Sequence, residues 1–294
     1  MDGVALLGDR LEDRLEDRLA GKTSDSTEGA AQDTSGGPRR LSPSGAATFR
    51  QCARRWRFRY LDGRDDPPTA PALIGSFVHR VLEELLAQSP SHRTEDKARV
   101  LARSVWPDTA SDDAFVALDL DERRQRAFRW RAWQAIQGYF AVEDPASVDV
   151  VEREQRLECE VGGVPFVGVV DRTERAADGL VVTDYKTGRR PSARFCEERL
   201  DQVLLYAAAL GCTGERPRRA RLLYLGAGSL DVEAEPERVA GAVGTFARTW
   251  DDIGRARRDE DFAPRPGPLC GWCPFVSECP EGRLEIERRL GPAA

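Results

Sequence analysis

Apolar and polar residues recur along this chain with two different periods, and the change from one to the other organises it. In "PALIGSFVHRVLEELLAQ", Leu73, Ile74, Phe77, Val78, Val81, Leu82, Leu85 and Leu86 recur at helical spacing. That predicts an amphipathic helix with a single buried stripe. The helical period holds over about 95–141, ending in "ERRQRAFRWRAWQAIQGYFA", where Trp130, Trp133, Ile136 and Phe140 form an aromatic stripe expected in the core rather than on a base-stacking surface. The period then shortens to two. "SVDVVEREQRLECEV", "VPFVGVVDRTE" and "GLVVTDYKT" alternate or run apolar in short bursts, with Gly162–Gly163 and Asp178–Gly179 as hairpin turns. "EERLDQVLLYAAAL" returns to helix, "RRARLLYLG" reads as a buried strand, "SLDVEAE" as another, and helix resumes over about 236–258. A helix, a three-strand meander, a helix and a strand in that order predict a mixed α/β core with a helical insertion at about 90–145.

Upstream, "LSPSGAATFRQCARRWRFRYLDG" predicts a helix capped by Ser42 or Ser44, with Phe49, Cys52, Trp56 and Tyr60 on related faces. Residues 1–40 read as an acidic tail. "DRLEDRLEDRLA" sets Leu7, Leu11, Leu15 and Leu19 at helical spacing, and a Gly/Ser-rich polar stretch follows, so the tail is expected to be disordered or partly helical.

Composition changes the picture little, and charge distribution changes it more. Of the 294 residues 40% are hydrophobic and 32% charged, as for a polar-surfaced globular protein. No apolar run is long enough to span a membrane, and the N-terminus lacks the apolar core of a signal peptide, so the cytoplasm is the expected compartment. The net charge of −6 argues against a general nucleic-acid binder. Yet Arg39 to Arg64 holds eight arginines and one acid. Arg50, Arg54, Arg55, Arg57 and Arg59 form either a solvated face or a surface that tracks phosphates.

Candidate chemistry concentrates in "GVVDRTERAADGLVVTDYKTGR". Asp171 is read as ending one strand, and Asp184 and Lys186 share a face at the end of the next. A hairpin between them sets the two carboxylates side by side, where they repel unless a cation lies between. Hard oxygen ligands suit Mg²⁺ or Mn²⁺, and a lysine beside such an ion can orient water or stabilise charge on a phosphate, which describes phosphodiester hydrolysis. Surface acid–base pairs are common on strands, so D-x-K alone is weak. His79, at the edge of the helical stripe, is either a boundary histidine or a nitrogen ligand. Gln202 and Tyr206 share a helix face. Seven cysteines, an odd number, favour metal ligation or buried thiols over disulfides. Three of them, Cys270, Cys273 and Cys279, lie in "CGWCPFVSECP".

"GSFVHRVLE", "GVVDR", "VTDYKTG", "QVLLYAAAL" and "CGWCPFVSECP", in that order over about 41–285, resemble the RecB-like exonuclease branch of the PD-(D/E)XK nuclease superfamily. CRISPR-associated relatives and the iron–sulfur nuclease domains of helicase–nuclease complexes share this layout. The resemblance implies a restriction-endonuclease-like mixed sheet flanked by helices, over 41–294. It implies that His79, Asp171, Asp184 and the carbonyl of Tyr185 bind Mg²⁺ or Mn²⁺, and that Lys186 is the catalytic lysine. Gln202 and Tyr206 match its QxxxY motif. Glu154 is a further acid, with Glu152 competing for the role. Iron–sulfur members place one cysteine before the core and three after it, which implies a 4Fe–4S staple of Cys52 with Cys270, Cys273 and Cys279. Four thiolates also suit zinc, and spacing does not choose between them. Cys159, Cys196 and Cys212 read as ordinary thiols.

The expected activity is a metal-dependent DNA exonuclease acting on single strands or frayed ends, in repair or recombination. Arg189 and Arg190 are candidate DNA-backbone contacts. The rival readings are a non-catalytic DNA-binding subunit of a repair complex and a zinc-stapled nuclease. No G-x-x-x-x-G-K-[ST] loop occurs, so unwinding would come from a helicase or repair partner.

Overall fold

The structure is a computed structural model that describes residues 37–191 and 196–290. The acidic segment with Leu7, Leu11, Leu15 and Leu19 lies outside the described residues, as does the side chain of Cys196. Two short helices, α1 (Pro43–Gln51) and α2 (Ala53–Tyr60), lead into α3 (Ala70–Leu86). Three more follow: α4 (Glu95–Ser111), α5 (Asp113–Val116) and α6 (Glu122–Val142). Next come β1 (Asp149–Val161), β2 (Val164–Ala176), β3 (Gly179–Lys186), α7 (Cys196–Gly211), β4 (Arg219–Tyr224), β5 (Gly228–Glu233), α8 (Pro236–Arg258) and α9 (Pro280–Leu290).

The strands form one five-stranded sheet in sequence order. β1, β2 and β3 are an antiparallel meander, β3 and β4 run parallel across the α7 crossover, and β5 returns antiparallel to β4. Helices cover both faces. On one side Trp56, Leu204, Phe246 and their neighbours on α1, α2, α7 and α8 pack against Phe166, Val182 and Leu222 of the sheet. On the other, α3, α4 and α6 pack together and cover Tyr185 and Leu223. β3 thus sits between two cores, which is why "LVVTDY" reads as an apolar run with polar residues at its end.

Helix α3 follows its pattern closely. Thr69 caps it by accepting from Ala72 N–H, and Ile74, Phe77, Val78, Val81, Leu82, Leu85 and Leu86 are buried while Leu73 is only partly so. Each such burial contributes roughly 1.5–3 kcal/mol. Three expectations are corrected. The predicted helix through Cys52 is two helices, because Cys52 is extended (φ −163°, ψ 110°). In one straight helix Phe49 and Trp56 would stand about 10.5 Å apart along the axis; the break lets their rings meet at 5.6 Å. The buried stripe of α6 is Phe128, Ala132, Ile136 and Tyr139. Trp130, two residues from Phe128, points away and is 60% exposed. Finally, β2 does not end at Asp171 but continues to Ala176.

Close backbone approach explains two glycines. Any Cβ on Gly138 would meet the backbone of Gly226 at 2.8 Å, where α6 touches the β4–β5 turn. A Cβ on Gly168 would meet the Tyr206 ring at 2.8 Å, so α7 rests directly on β2.

Candidate functional site

The site begins where regular pairing stops. The β2–β3 ladder runs from Ala176↔Gly179 to Arg172↔Thr183. One further step would set Asp171 opposite Asp184. There the Tyr185 N–H donates to the Asp171 carboxylate at 2.6 Å, so a side chain bridges the two strands. On β1 the pairs Arg153↔Arg172 and Gln155↔Val170 flank Glu154, and Glu154 has φ +46°. Phe166 and Val170 belong to the α7–α8 core, yet Arg172, of the same parity, reaches Tyr139 and Tyr185 in the opposite core. Strand alternation therefore slips at Asp171, and across from it a non-glycine residue holds a left-handed conformation. Such local strain persists only where surrounding structure fixes it, and it re-aims the side chains around it.

The re-aimed side chains converge. Ligand atoms of His79, Glu154 and Asp171 lie within 4.8 Å of one another, and His79 Nδ1 is 3.2 Å from Asp171 Oδ1. Burial alone would lower the His79 pKa. The charge of Asp171 and its hydrogen bond outweigh burial, with Asp184 and Glu154 adding to them, and the imidazole is pushed up to about 9. Asp171 is the counterpart: burial works to raise it, but His79 and the Tyr185 N–H bring it below the usual carboxylate range. The shared proton offsets the repulsion among clustered acids, and a divalent cation could do the same. One imidazole nitrogen and several carboxylate oxygens are a donor set that Mg²⁺ or Mn²⁺ accepts, so these residues fit such an ion.

Asp184 stands beside this group and turns towards α7. Lys186 Nζ forms an ion pair with Asp184 Oδ2 at 2.6 Å. Gln202 links the parts: its Nε2 donates to Asp184 Oδ1 at 3.0 Å and to the Tyr206 hydroxyl at 3.1 Å, and its Oε1 accepts from Lys186 Nζ at 3.1 Å. Burial raises the Asp184 carboxyl to about 6, with Lys186 opposing and Asp171 adding to the rise. Burial would lower Lys186, but Asp184 outweighs it and keeps the ammonium charged.

Glu152, the competitor of Glu154, is exposed and its carboxylate accepts from the neighbouring Arg153 N–H. Arg189 and Arg190 are exposed just past Lys186, and Arg190 donates to the Ala227 carbonyl. A feature the sequence reading missed lies beneath the site. Arg172 is fully buried, paired with Glu143 at 2.6 Å and with Glu174, and it donates to the hydroxyls of Tyr139 and Tyr185. Arg221 joins Glu143, Glu174 and Asp231. This network ties α6 to the sheet under Asp171.

At the other end of the domain the C-terminal segment docks on α1 and α2. Phe262 stacks on Trp56, Phe275 packs on Phe58 at 5.4 Å, and Glu278 pairs with Arg64. Burial raises the Cys273 thiol, and its proximity to Cys52 and Cys270 adds to that rise. Cys279 is buried and also raised, chiefly by burial. The described cysteines are free thiols. The arginines near Cys52 are engaged within the chain: Arg54 with the Phe262 carbonyl, Arg55 and Arg59 with Asp66, Arg57 with Asp62. With these partners the arginines are neither a simply solvated face nor a free track for phosphates.

A family model described as the PD-(D/E)XK nuclease superfamily matches residues 40–280. The chain belongs to that superfamily. Its mixed five-stranded sheet with flanking helices is the fold of these nucleases, whose substrate is nucleic acid. Among solved structures, a protein described as "Putative exonuclease" from Eubacterium rectale shares 14% identity at a TM-score of 0.49, covering 80% of this chain and 87% of that one. The protein SSO0001 shares 16% identity at a TM-score of 0.37, with coverages of 94% and 98%. No curated protein matches the chain. No helix among the described residues is long and apolar enough to cross a membrane.

Proposed function

We propose that this nuclease is a divalent-metal-dependent DNA exonuclease of the cytoplasm that hydrolyses phosphodiester bonds at single-stranded or frayed ends, in repair or recombination. The observation that carries the reading is the convergence of His79, Glu154 and Asp171 at the splayed end of β2 and β3, beside the Asp184–Lys186–Gln202–Tyr206 chain. His79, Asp171 and Asp184 hold Mg²⁺ or Mn²⁺, and Glu154 adds an acid. A residue in an antiparallel ladder turns its N–H and C=O towards the same neighbour. With the Tyr185 N–H on Asp171, the Tyr185 carbonyl faces the same gap and is a further ligand. A bound cation supplies Lewis-acid stabilisation of charge at the phosphate.

Lys186 acts as an ammonium. Held between Asp184 and Gln202, it donates to a phosphate oxygen or orients water, and in that state it does not abstract a proton. Gln202 contacts both members of the Lys186–Asp184 pair and holds the pair in a fixed geometry, and Tyr206, resting on Gly168, fixes Gln202. The nuclease domain runs from Leu41 to the C-terminus, with residues 90–145 as an insertion and 1–40 as a tail. Cys52, Cys270, Cys273 and Cys279 hold a 4Fe–4S cluster at the junction of the domain's two ends. A helicase or repair partner supplies any unwinding.

The test uses anaerobically purified protein and single-stranded DNA labelled at either end, with and without Mg²⁺ or Mn²⁺. Metal-dependent shortening from an end is expected, and the label that survives gives the polarity. A folded, DNA-binding preparation that cuts under none of these conditions would replace this reading with a non-catalytic binding subunit. Gln202→Ala is expected to lower the cleavage rate by about 10–100-fold, as for a residue that orients ligands without binding the metal itself. Its melting temperature should stay near wild type, and a wild-type rate would remove Gln202 from the site.

A further inference from the structure

The helices ahead of β1 carry a groove of about 230 Å³ that the candidate site does not use. Phe77 and Trp106 form its floor, meeting edge to face at 6.2 Å. Trp133 lines one side, and Arg99, Arg103 and Arg129 surround it. Two of the arginines are stacked on the tryptophans, Arg99 at 4.8 Å over Trp133 and Arg129 at 5.1 Å over Trp106. Among the described residues no acidic side chain lines the groove. Helix α6, one of its walls, carries five arginines (123, 124, 126, 129 and 131) against one acid, Glu122, in a chain whose net charge is −6. Trp130 stands 60% exposed on the same helix.

We propose that this groove is a second nucleic-acid site, which holds a single strand away from the point of cleavage. Its occupant must bring negative charge and flat aromatic faces together. A single strand offers both, since its bases are free to stack on indole and guanidinium planes while its phosphates meet arginine. A duplex hides its base faces, and an acidic peptide brings charge without them. Bases stack on the guanidinium planes that lie over Trp133 and Trp106, and phosphates meet Arg103, which is exposed and has no ion-pair partner among the described residues. Phe77 and His79 leave α3 about 200° apart, so the groove and the metal site are separated by about the thickness of a helix, 10–12 Å. Only a strand long enough to pass around α3 engages both. The proposal rests on the nuclease reading for one point alone, that the strand held here is substrate.

The test measures binding and cutting separately. The full chain in EDTA is titrated against a fluorescent single strand of about 30 nucleotides, over a range of salt, and cleavage of a strand of about 5 nucleotides is followed with Mn²⁺. Arg103→Glu/Arg129→Glu is expected to weaken binding of the long strand by about tenfold or more and to reduce the salt slope by about 1.4, at about 0.7 for each arginine lost. Cleavage of the short strand should be unchanged. Arg103→Ala alters only an exposed, unpaired side chain, so it isolates the effect should the double variant fail to fold, and it should weaken binding in the same direction. Long-strand binding that stays at wild-type strength in both variants overturns the proposal, and so does a duplex that competes as well as a single strand. If neither strand is cut by any protein but the variants still bind weakly, the nuclease reading fails and the groove stands.

Discussion

Asp184→Ala and Lys186→Ala each abolish DNA cleavage, with an expected loss of about 10³-fold or more, the scale at which removing a group that stabilises developing charge is felt. The two variants should differ in stability, and that difference tests the geometry. Asp184 is buried and its carboxyl is raised to about 6. A carboxylate with a raised folded-state pKa contributes stability only while protonated, below its unfolded value, and loses it as pH rises through the folded value. At neutral pH burial of the ionised Asp184 is therefore a cost that Lys186 and Gln202 partly offset, and alanine removes the cost together with those contacts. Lys186→Ala does the reverse: it leaves Asp184 beside Asp171 without the ammonium at 2.6 Å. We expect the melting temperature at pH 7 to fall less in Asp184→Ala than in Lys186→Ala, because only the first removes a buried carboxylate along with its ion pair. Cleavage close to wild type in either variant refutes the assignment of the site. Loss of cleavage accompanied by loss of helical circular dichroism would report unfolding, and Asp184→Asn, which keeps the shape and the Gln202 contact, would then carry the test.

The parts of this fold that were legible in the sequence are those governed by short-range period. The stripe on α3, the three-strand meander and its turns follow from spacing alone, because one buried face per element suffices to form them. The candidate site was legible where its residues share an element, as Asp184 and Lys186 do on β3 and Gln202 and Tyr206 on α7. What spacing does not carry is any departure from regular geometry. The slip at Asp171 and the left-handed Glu154 break the alternation on which a strand reading depends, so the sequence left Glu152 and Glu154 unresolved and ended β2 too early. The break at Cys52 has no glycine or proline to announce it; it arises because Phe49 and Trp56 serve one core. Trp130 was assigned to the core because an aromatic run suggests burial, whereas the helical period measured from Phe128 turns it outward.

Long-range pairing was invisible for another reason. Glu143, Arg172, Glu174, Arg221 and Asp231 come from α6 or its end and from three strands, and each alone is an ordinary charged residue. Only the sheet order brings them together. The same holds for Cys159 and Cys212, which had no partner by spacing. In the fold, burial and a hydrogen bond from the Cys159 thiol to Cys212 push Cys159 up to about 12. A buried network such as that of Arg172 contributes little net stability, since desolvation offsets attraction, but it admits few alternative arrangements. Here it anchors the hydroxyl of Tyr185 while Asp171 holds that residue's backbone. The strained end of the β2–β3 hairpin is thus fixed from both sides.

If the proposed cluster is bound, Cys279→Ala is expected to abolish it and to loosen the C-terminal segment. Protein contacts alone hold that segment weakly. Phe275 packs on Phe58, while the Arg64–Glu278 pair is largely exposed and worth under about 1 kcal/mol. Trp272 is 86% exposed. A cluster on Cys52, Cys270, Cys273 and Cys279, as proposed, would join residues 52 and 270 across most of the chain, and closing a loop of that length would restrict the unfolded state by about 5 kcal/mol in a chain-entropy account. Ligand bonds add to this, because the site is complete only in the folded protein. The variant should lose visible absorbance and bound iron, melt at a lower temperature, and become sensitive to proteolysis after Arg258. Cys212→Ala, at an exposed thiol outside the set, should keep its colour and iron. Metal analysis of the wild type decides the cofactor: about four iron atoms per chain identify the cubane, whereas one zinc identifies a tetrahedral thiolate site and leaves the staple argument intact. Full colour and an unchanged melting curve in Cys279→Ala would mean that Cys279 is not a ligand and that aromatic packing, not metal, closes the domain.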